Sequence, residues 1–430
     1  MKQAIVVGSG AGGAAAAMEL QGAFQVTVLE AGNPFRPLPG SLGMYEKLKK
    51  SPGLFSNERR IEWLFPAMKI DADAEGMVVA RGVCHGGSTT LSTGSAVRQD
   101  KALKVIGIDL DAEFDELEVE LPIQAEHEMQ WHAATREAYE VCRGMGLNPE
   151  PTPKMIRRDL CTGCGKCILG CPSGAKWDSR NFLNEAVEKG AEVLSGRMAR
   201  EVVLESGRAT GVIATMGKRT ELHTADLVVL AAGGLGTPVI LQQTGIACQD
   251  SLFVDPLMCV ATRWEKARQN QELSMPFLFQ EEHYMISPYF DFLSFFFNKD
   301  WKYPAADIFS LMIKLKDSNS GSVSPSRVRK PLLEVDRARL DEAVRRCKEI
   351  LYRMGTKEDD IFLGTLNAGH PGGTLPLTEK EAGTLHHKHL PQNLYVADAS
   401  LLPDSMGNPP ILTITALARK VARACVERLG

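Results

Sequence analysis

Four cysteines stand at C-x2-C-x2-C-x3-C spacing, Cys161, Cys164, Cys167 and Cys171, and Pro172 follows directly. Two-residue gaps between small, glycine-rich positions let successive thiolates converge on one centre. This is the spacing of the bacterial-ferredoxin iron–sulfur run. A zinc knuckle is the competing chemistry, but structural zinc commonly takes two C-x2-C pairs across a longer spacer. In two-cluster ferredoxins the fourth cysteine of such a run serves the other cluster, and this chain has no second run. The options are Cys171 closing one 4Fe–4S cluster, a distant thiol closing it, or a three-iron cluster. The reading adopted is 4Fe–4S on Cys161, Cys164, Cys167 and Cys171.

A second constellation opens the chain. The apolar run Ala4–Val7 leads into Gly8-Ser9-Gly10-Ala11-Gly12-Gly13, then a helix-forming stretch Ala14–Leu20, then a strand Gln25–Leu29 ending on Glu30. Gly8, Gly10 and Gly13 fit G-x-G-x-x-G, which lets backbone approach a pyrophosphate at a helix N-terminus. Glu30 lies where a ribose hydroxyl needs an acceptor, and an acid there disfavours a 2′-phosphate. These residues leave NAD and FAD equally open. A second glycine turn with hydroxyls, Arg81-Gly-Val-Cys-His-Gly86-Gly87-Ser88, can pass close to the same ligand. So can Ala232-Gly233-Gly234 after the apolar strand Asp226–Ala231, where glycines at a strand end suit a close backbone approach.

The remaining elements must position these groups. Helical periodicity covers 110–146, Asn181–Lys189 and Asp336–Met354, while Glu192–Glu205 and Gly211–Met216 suggest strands of one meander. The aromatic-dense stretch Phe277–Tyr303 suggests the core of an antiparallel sheet. The polar, proline-bearing residues 33–75 suggest a lid or dimer arm. Gly407-Asn408-Pro409-Pro410 introduces a last helix, Ile411–Leu429, with proline preorganising its start. At 430 residues the chain is long enough for two domains. A net charge of −4 gives no basic footprint for nucleic acid, and no apolar run reaches a membrane span. The N-terminus enters a strand at once, so no signal peptide is expected. Ten cysteines are too sparse for a disulfide scaffold. A cytoplasmic, low-oxygen setting is expected.

Taken together, these stretches resemble the glucose–methanol–choline (GMC) family of FAD oxidoreductases. Gly8–Gly13 with Glu30 looks like its flavin fingerprint, Arg81–Ser88 like its R-G-x-x-x-G-G-S loop, and Gly233–Ile246 like its second signature. Asn393–Ser400 and Asn408-Pro409, followed by Thr413–Ala418, look like its C-terminal flavin motif, closest to the cholesterol oxidase branch. The resemblance implies FAD rather than NAD, with contacts from Gly8, Gly10, Gly13, Glu30, Arg81, Gly86, Gly87, Ser88, Ala199, Gly233, Asp398, Ala399, Pro409 and Pro410. Where some members attach FAD through a histidine this chain has Leu91, so non-covalent FAD is expected. In the family, the positions of His370 and Asn408 serve catalysis.

The resemblance implies an α/β fold: a Rossmann-like FAD-binding domain interleaved with a smaller α+β substrate domain. Segments 1–34, 76–105, 156–256 and 385–430 are assigned to the first, which carries the iron–sulfur loop 161–172. Segments 35–75, 106–155 and 257–384 are assigned to lid and substrate domain. The implied activity is a dehydrogenase that oxidises a small-molecule alcohol, with His370 taking the hydroxyl proton and Asn408 orienting the oxygen. Hydride would pass to flavin N5, and electrons would leave singly through the cluster to an external carrier such as a ferredoxin, cytochrome or partner subunit. A ferredoxin-linked reductase of a carbonyl or C=C bond, or an electron-transfer subunit, are the alternatives.

Overall fold

The computed structural model describes residues 1–38, 42–49, 57–72 and 77–430. Parts of the expected lid at 33–75 therefore lie outside the described residues. β-Branched and apolar residues run without interruption through Ala4–Val7 and Leu227–Leu230, and such runs suit strands covered on both faces. Both strands sit in a five-stranded, wholly parallel sheet, in the order Leu394–Val396, Leu227–Leu230, Gln3–Val7, Gln25–Glu30, Glu192–Ser195. Glu192–Ser195 thus leaves the expected meander and pairs in parallel with Gln25–Glu30. The meander itself is Met198–Glu205, Arg208–Met216 and Arg219–Thr224. The turn at Gly196 and Arg197 separates the two roles, with Gly196 N–H bonded to Gly32 O and Arg197 N–H to Glu30 O.

A larger, mainly antiparallel sheet runs from Met68–Ala72 through Val78–Gly82, Asn367–Ala368, Leu257–Arg263, Ile308–Leu315, Tyr284–Pro288 and Phe277–Gln280 to Glu150–Pro151. The aromatic stretch is buried, as expected, but only its first part is strand. Phe292–Phe297 forms a helix, capped by Asp291 accepting from Leu293 N–H. Segment 106–155 divides between the two halves. Phe114 and Leu117 join the core of the parallel sheet, whereas Trp131, Ala138 and Cys142 join that of the antiparallel sheet. Among the described residues no helix is long and apolar enough to cross a membrane.

Two helices hold the parallel sheet in place. The last helix, Ile411–Leu429, packs on the N-terminal helix Ala11–Leu20. Its basic residues do not simply face solvent at the negative helix end. Arg419 is fully buried, paired with Glu19 at 3.2 Å and also with Glu120, and Arg423 meets Glu116 at 2.6 Å. The N-terminal helix itself lies very close to the strand Leu394–Val396. A Cβ on Gly12 would stand 1.7 Å from Ala397 O, while one on Gly144, at the end of helix Ala133–Gly144, would meet nothing within 4 Å. Gly12→Ala is therefore expected to destabilise the protein by about 1–3 kcal/mol through overpacking. Gly144→Ala should be neutral or stabilising by up to about 1 kcal/mol. Thermal melts of the two variants beside the parent measure both, and an unchanged melting temperature for Gly12→Ala would contradict the packing account.

Candidate functional site

The N-terminal glycine turn and the Arg81–Ser88 loop meet face to face. A Cβ on Gly87 would come within 2.9 Å of Gly10 Cα, so only bare backbone permits the approach. Ser9 ties the two loops to the second strand. Its N–H and hydroxyl donate to Glu30 Oε2 at 3.0 and 2.6 Å, and Ser9 Oγ accepts from Gly86 N–H at 3.1 Å. Gly32 N–H donates to the other Glu30 oxygen at 2.7 Å. Burial raises the Glu30 carboxyl above its ordinary range, against the opposing effect of these hydrogen bonds.

Above these turns lies a cavity of about 780 Å³. Of the residues singled out in the sequence, Gly8, Gly10, Glu30, Arg81, Gly87, Ser88, Ala199, Gly233, Asp398, Ala399, Pro409, Pro410 and His370 line it. Gly13, Gly86 and Asn408 do not. Gly13 packs on Gly8 O, and Gly86 lies against the Thr90 and Arg180 side chains. Asn408 donates from Nδ2 to Gln280 Oε1 at 2.6 Å, and its Oδ1 is buried without a partner. The first turns of three helices, starting at Ala11, Gly233 and Ile411, contribute to the lining. These helix N-termini present partial positive charge to whatever occupies the space. Asp398 joins two of the elements: it accepts from Gly233 N–H at 2.8 Å and from Ser400 N–H at 2.8 Å.

His370 faces the cavity, and behind it lies a buried charged network. Its Nδ1 is 3.3 Å from Asp255 Oδ2. Asp255 also accepts from Gly407 N–H at 3.1 Å and from Ser405 Oγ, which in turn reaches Asp317 at 2.9 Å. Asp317 pairs with fully buried Lys330 at 2.9 Å. Lys314, 3% exposed, lines the cavity from the strand Ile308–Leu315. Burial first, and the Lys314 charge second, push His370 down to about 4, although the Asp255 hydrogen bond acts the other way. The imidazole is thus neutral at pH 7, and among the described residues its Nε2 has no hydrogen-bond partner. A neutral imidazole in a cavity can accept a proton.

The four cysteines of the run line one small pocket with Gly163, Gly165, Lys176 and Leu273. Gly165 adopts a positive φ of 68°, and a Cβ there would strike Asn270 O at 2.1 Å. Among the described residues, Asp100, Asp109 and Asp111 are the one trio of thiol, imidazole or carboxylate ligand atoms within 4.8 Å of one another, so no three of the cysteine sulfurs are that close. A single zinc with bonds of about 2.3 Å needs sulfurs about 3.8 Å apart. The pocket is more open than that. Ile168 and Leu169, next to Cys167 in the chain, line the large cavity, so one short loop contributes to both sites.

Two buried lysines lie near this loop. Lys176 Nζ donates to Cys167 O at 3.0 Å and to the carbonyls of Thr89, Thr90 and Ser92 at 3.1, 2.8 and 2.8 Å. Lys154 Nζ donates to Ser274 O at 2.6 Å and to Ser95 Oγ at 2.9 Å. Burial lowers Lys154 to about 7 and Lys176 to about 8. Sequence reasoning missed both, along with Gly12, Asp255, Lys314, Asp317 and Lys330. The one available signal was a lysine inside an otherwise apolar strand, as at Lys314.

The likeness to known proteins agrees with this architecture. An uncharacterized protein of Methanocaldococcus jannaschii is 26% identical over 422 residues, covering 97% of this chain and 98% of that one. A long-chain-alcohol oxidase of Arabidopsis thaliana is 23% identical, spanning 99% of this chain and 66% of the relative. The crystal structure of a pyridoxine 4-oxidase from Mesorbium loti superposes with a TM-score of 0.72 at 17% identity, covering 100% of both chains. A formate oxidase of Aspergillus oryzae, from a study of its FAD modification, gives 0.73 at 14% identity, over 99% of this chain and 98% of that one. The cavity itself suits FAD: helix N-termini for the pyrophosphate, apposed bare backbones for close approach, and an acid at the second strand's end. The GMC oxidoreductase pattern matches residues 3–254, more than half of the sequence, and the chain belongs to this family of FAD-dependent oxidoreductases.

Proposed function

We propose that this protein is a cytoplasmic dehydrogenase that oxidises an alcohol CH–OH group and passes the electrons to an external one-electron carrier. Its cofactors are non-covalent FAD and a 4Fe–4S cluster on Cys161, Cys164, Cys167 and Cys171. The observation that carries this reading is that Cys167 of the thiol pocket is followed directly in the chain by Ile168 and Leu169, which line the cavity. The alcohol substrate rests on the long-chain-alcohol oxidases among the relatives. Those relatives are oxidases, and oxidases have no use for a wire to a carrier. The thiol pocket therefore favours a dehydrogenase. All ten cysteines are free, which suits a reducing compartment.

FAD, when bound, supplies the hydride acceptor, and the cluster supplies an exit for single electrons. The chain's own groups handle the proton and the geometry. His370 Nδ1 is engaged with Asp255, which leaves Nε2 to take the hydroxyl proton. The imidazolium so formed lies against the Asp255 carboxylate, which Ser405 Oγ and Gly407 N–H hold in place. Asn408 is the second proposed group, with a smaller effect because its Nδ2 is committed to Gln280. Apolar side chains Leu257, Met275, Phe292 and Met312 line the cavity and exclude water from the substrate carbon.

His370→Ala should slow reduction of the flavin by substrate by roughly 10²–10⁴-fold, with flavin and cluster spectra retained. Asn408→Ala should cost less. Because the base must be neutral, and His370 protonates only near 4, the parent rate should stay level from pH 8 to about 5 and fall below that. Anaerobic stopped-flow across pH reads both effects, and a decline already centred at the ordinary imidazole value would count against this environment. Iron and sulfide analysis with electron paramagnetic resonance should find one cluster per chain, lost or altered in Cys171→Ser. Stoichiometric zinc without iron would sink that assignment. Since Leu91 stands at the covalent position and lines the cavity, acid precipitation should release all of the flavin into the supernatant. Colour left in the pellet would contradict non-covalent binding.

A further inference from the structure

Lys154 and Lys176 are anomalous among the buried charges of this protein. Lys154 is fully buried and Lys176 is 4% exposed. Other buried cations have carboxylates at hand: Lys330 meets Asp317, Arg419 meets Glu19 and Glu120, and Lys314, though not directly paired among the described residues, lies in the field of Asp255 and Asp317. Among the described residues neither Lys154 nor Lys176 forms such a pair. The nearby Asp178 is taken by Arg180, whose Nε and Nη2 reach its two oxygens at 2.8 Å each. The acceptors of both lysines are carbonyl and hydroxyl oxygens, which satisfy the N–H groups but leave the charges uncompensated. An uncompensated buried charge costs several kcal/mol.

Both ammonium groups converge on Cys167. Lys176 donates to its carbonyl oxygen. Lys154 donates to the carbonyl of Ser274, a residue whose backbone lies beside the Cys167 sulfur. The anion that these lysines lack is what the thiol run would provide, since a 4Fe–4S cluster on four thiolates carries net negative charge.

We propose that Lys154 and Lys176 are the built-in counter-charge of the iron–sulfur cluster and hold its reduction potential within reach of the flavin. This rests on the cluster reading above. Adding one electron makes the cluster one charge more negative, with no bond made or broken. Positive charge on these two ammonium groups, beside Cys167, stabilises the reduced form more than the oxidised form, and so raises the potential. Lys176 fastens the cysteine loop, through Cys167 O, to Thr89, Thr90 and Ser92, while Lys154 ties Ser274 to Thr93 and Ser95.

The test uses the full chain, purified anaerobically with flavin and iron bound, and a redox titration of the cluster followed by electron paramagnetic resonance. Lys154→Gln keeps a donor for Ser274 O and removes the charge. The expected shift is at least tenfold in the reduced-to-oxidised equilibrium, about 59 mV more negative for a one-electron couple. Lys154→Arg, which keeps the charge, should restore most of it. Lys176→Gln should shift the potential in the same direction. If that variant loses iron because its tethers to the loop are gone, Lys154→Gln decides alone. A parent-like potential in Lys154→Gln with full iron content overturns the counter-charge inference and leaves the cluster reading intact. A parent protein without iron overturns both.

Discussion

Two glycine turns meeting backbone to backbone are the constraint from which the rest of the site follows. Gly10 and Gly87 come from segments more than seventy residues apart, and a single methyl on Gly87 would collide with Gly10 Cα. The contact brings the Arg81–Ser88 loop under the first helix, and Ser9 binds the joint to buried Glu30. With that joint made, the helices starting at Ala11, Gly233 and Ile411 can turn their N-termini to one cavity. Gly12, pressed on Ala397, sets how closely the first helix lies on the sheet. A polar ligand with two phosphates therefore meets preorganised donors, without reorganisation of side chains.

Buried charge is treated differently on the His370 side and on the cysteine side. Behind His370, Lys330 pairs with Asp317 and the charge of Lys314 acts on Asp255 and Asp317 without a direct pair, so two ammonium groups offset two carboxylates within the protein. The histidine in front of them can stay neutral and still have a carboxylate ready for the proton it gains. On the cysteine side, among the described residues, Lys154 and Lys176 have oxygen acceptors and no ion pair with an acid. The first arrangement suits proton transfer, where net charge is conserved on the protein. The second suits a partner whose own charge changes by one electron at a time.

Much of this was legible in local sequence. The thiol spacing, the strand–turn–helix of the fingerprint, the Arg81–Ser88 loop and the last helix depend on contacts between near neighbours, where residue type and interval dictate backbone geometry. Thirteen of the residues singled out for cofactor or catalysis line one cavity for that reason. What the tertiary structure decided involves long separations. Glu192–Ser195 resembles the strands that follow it, and only an open edge on Gln25–Glu30 draws it into the parallel sheet. Arg419 reads as a solvated basic residue until Glu19 and Glu120 are packed beside it. Lys154, Lys176 and Lys314 have no local signature of burial strong enough to mark them, because a lysine's environment is set by chain segments far away in sequence. Asp255 likewise becomes the partner of His370 through a contact 115 residues long. Sequence by itself determined which groups could do chemistry; the packing of distant segments decided which of them are neutral, which are charged, and what each charge faces.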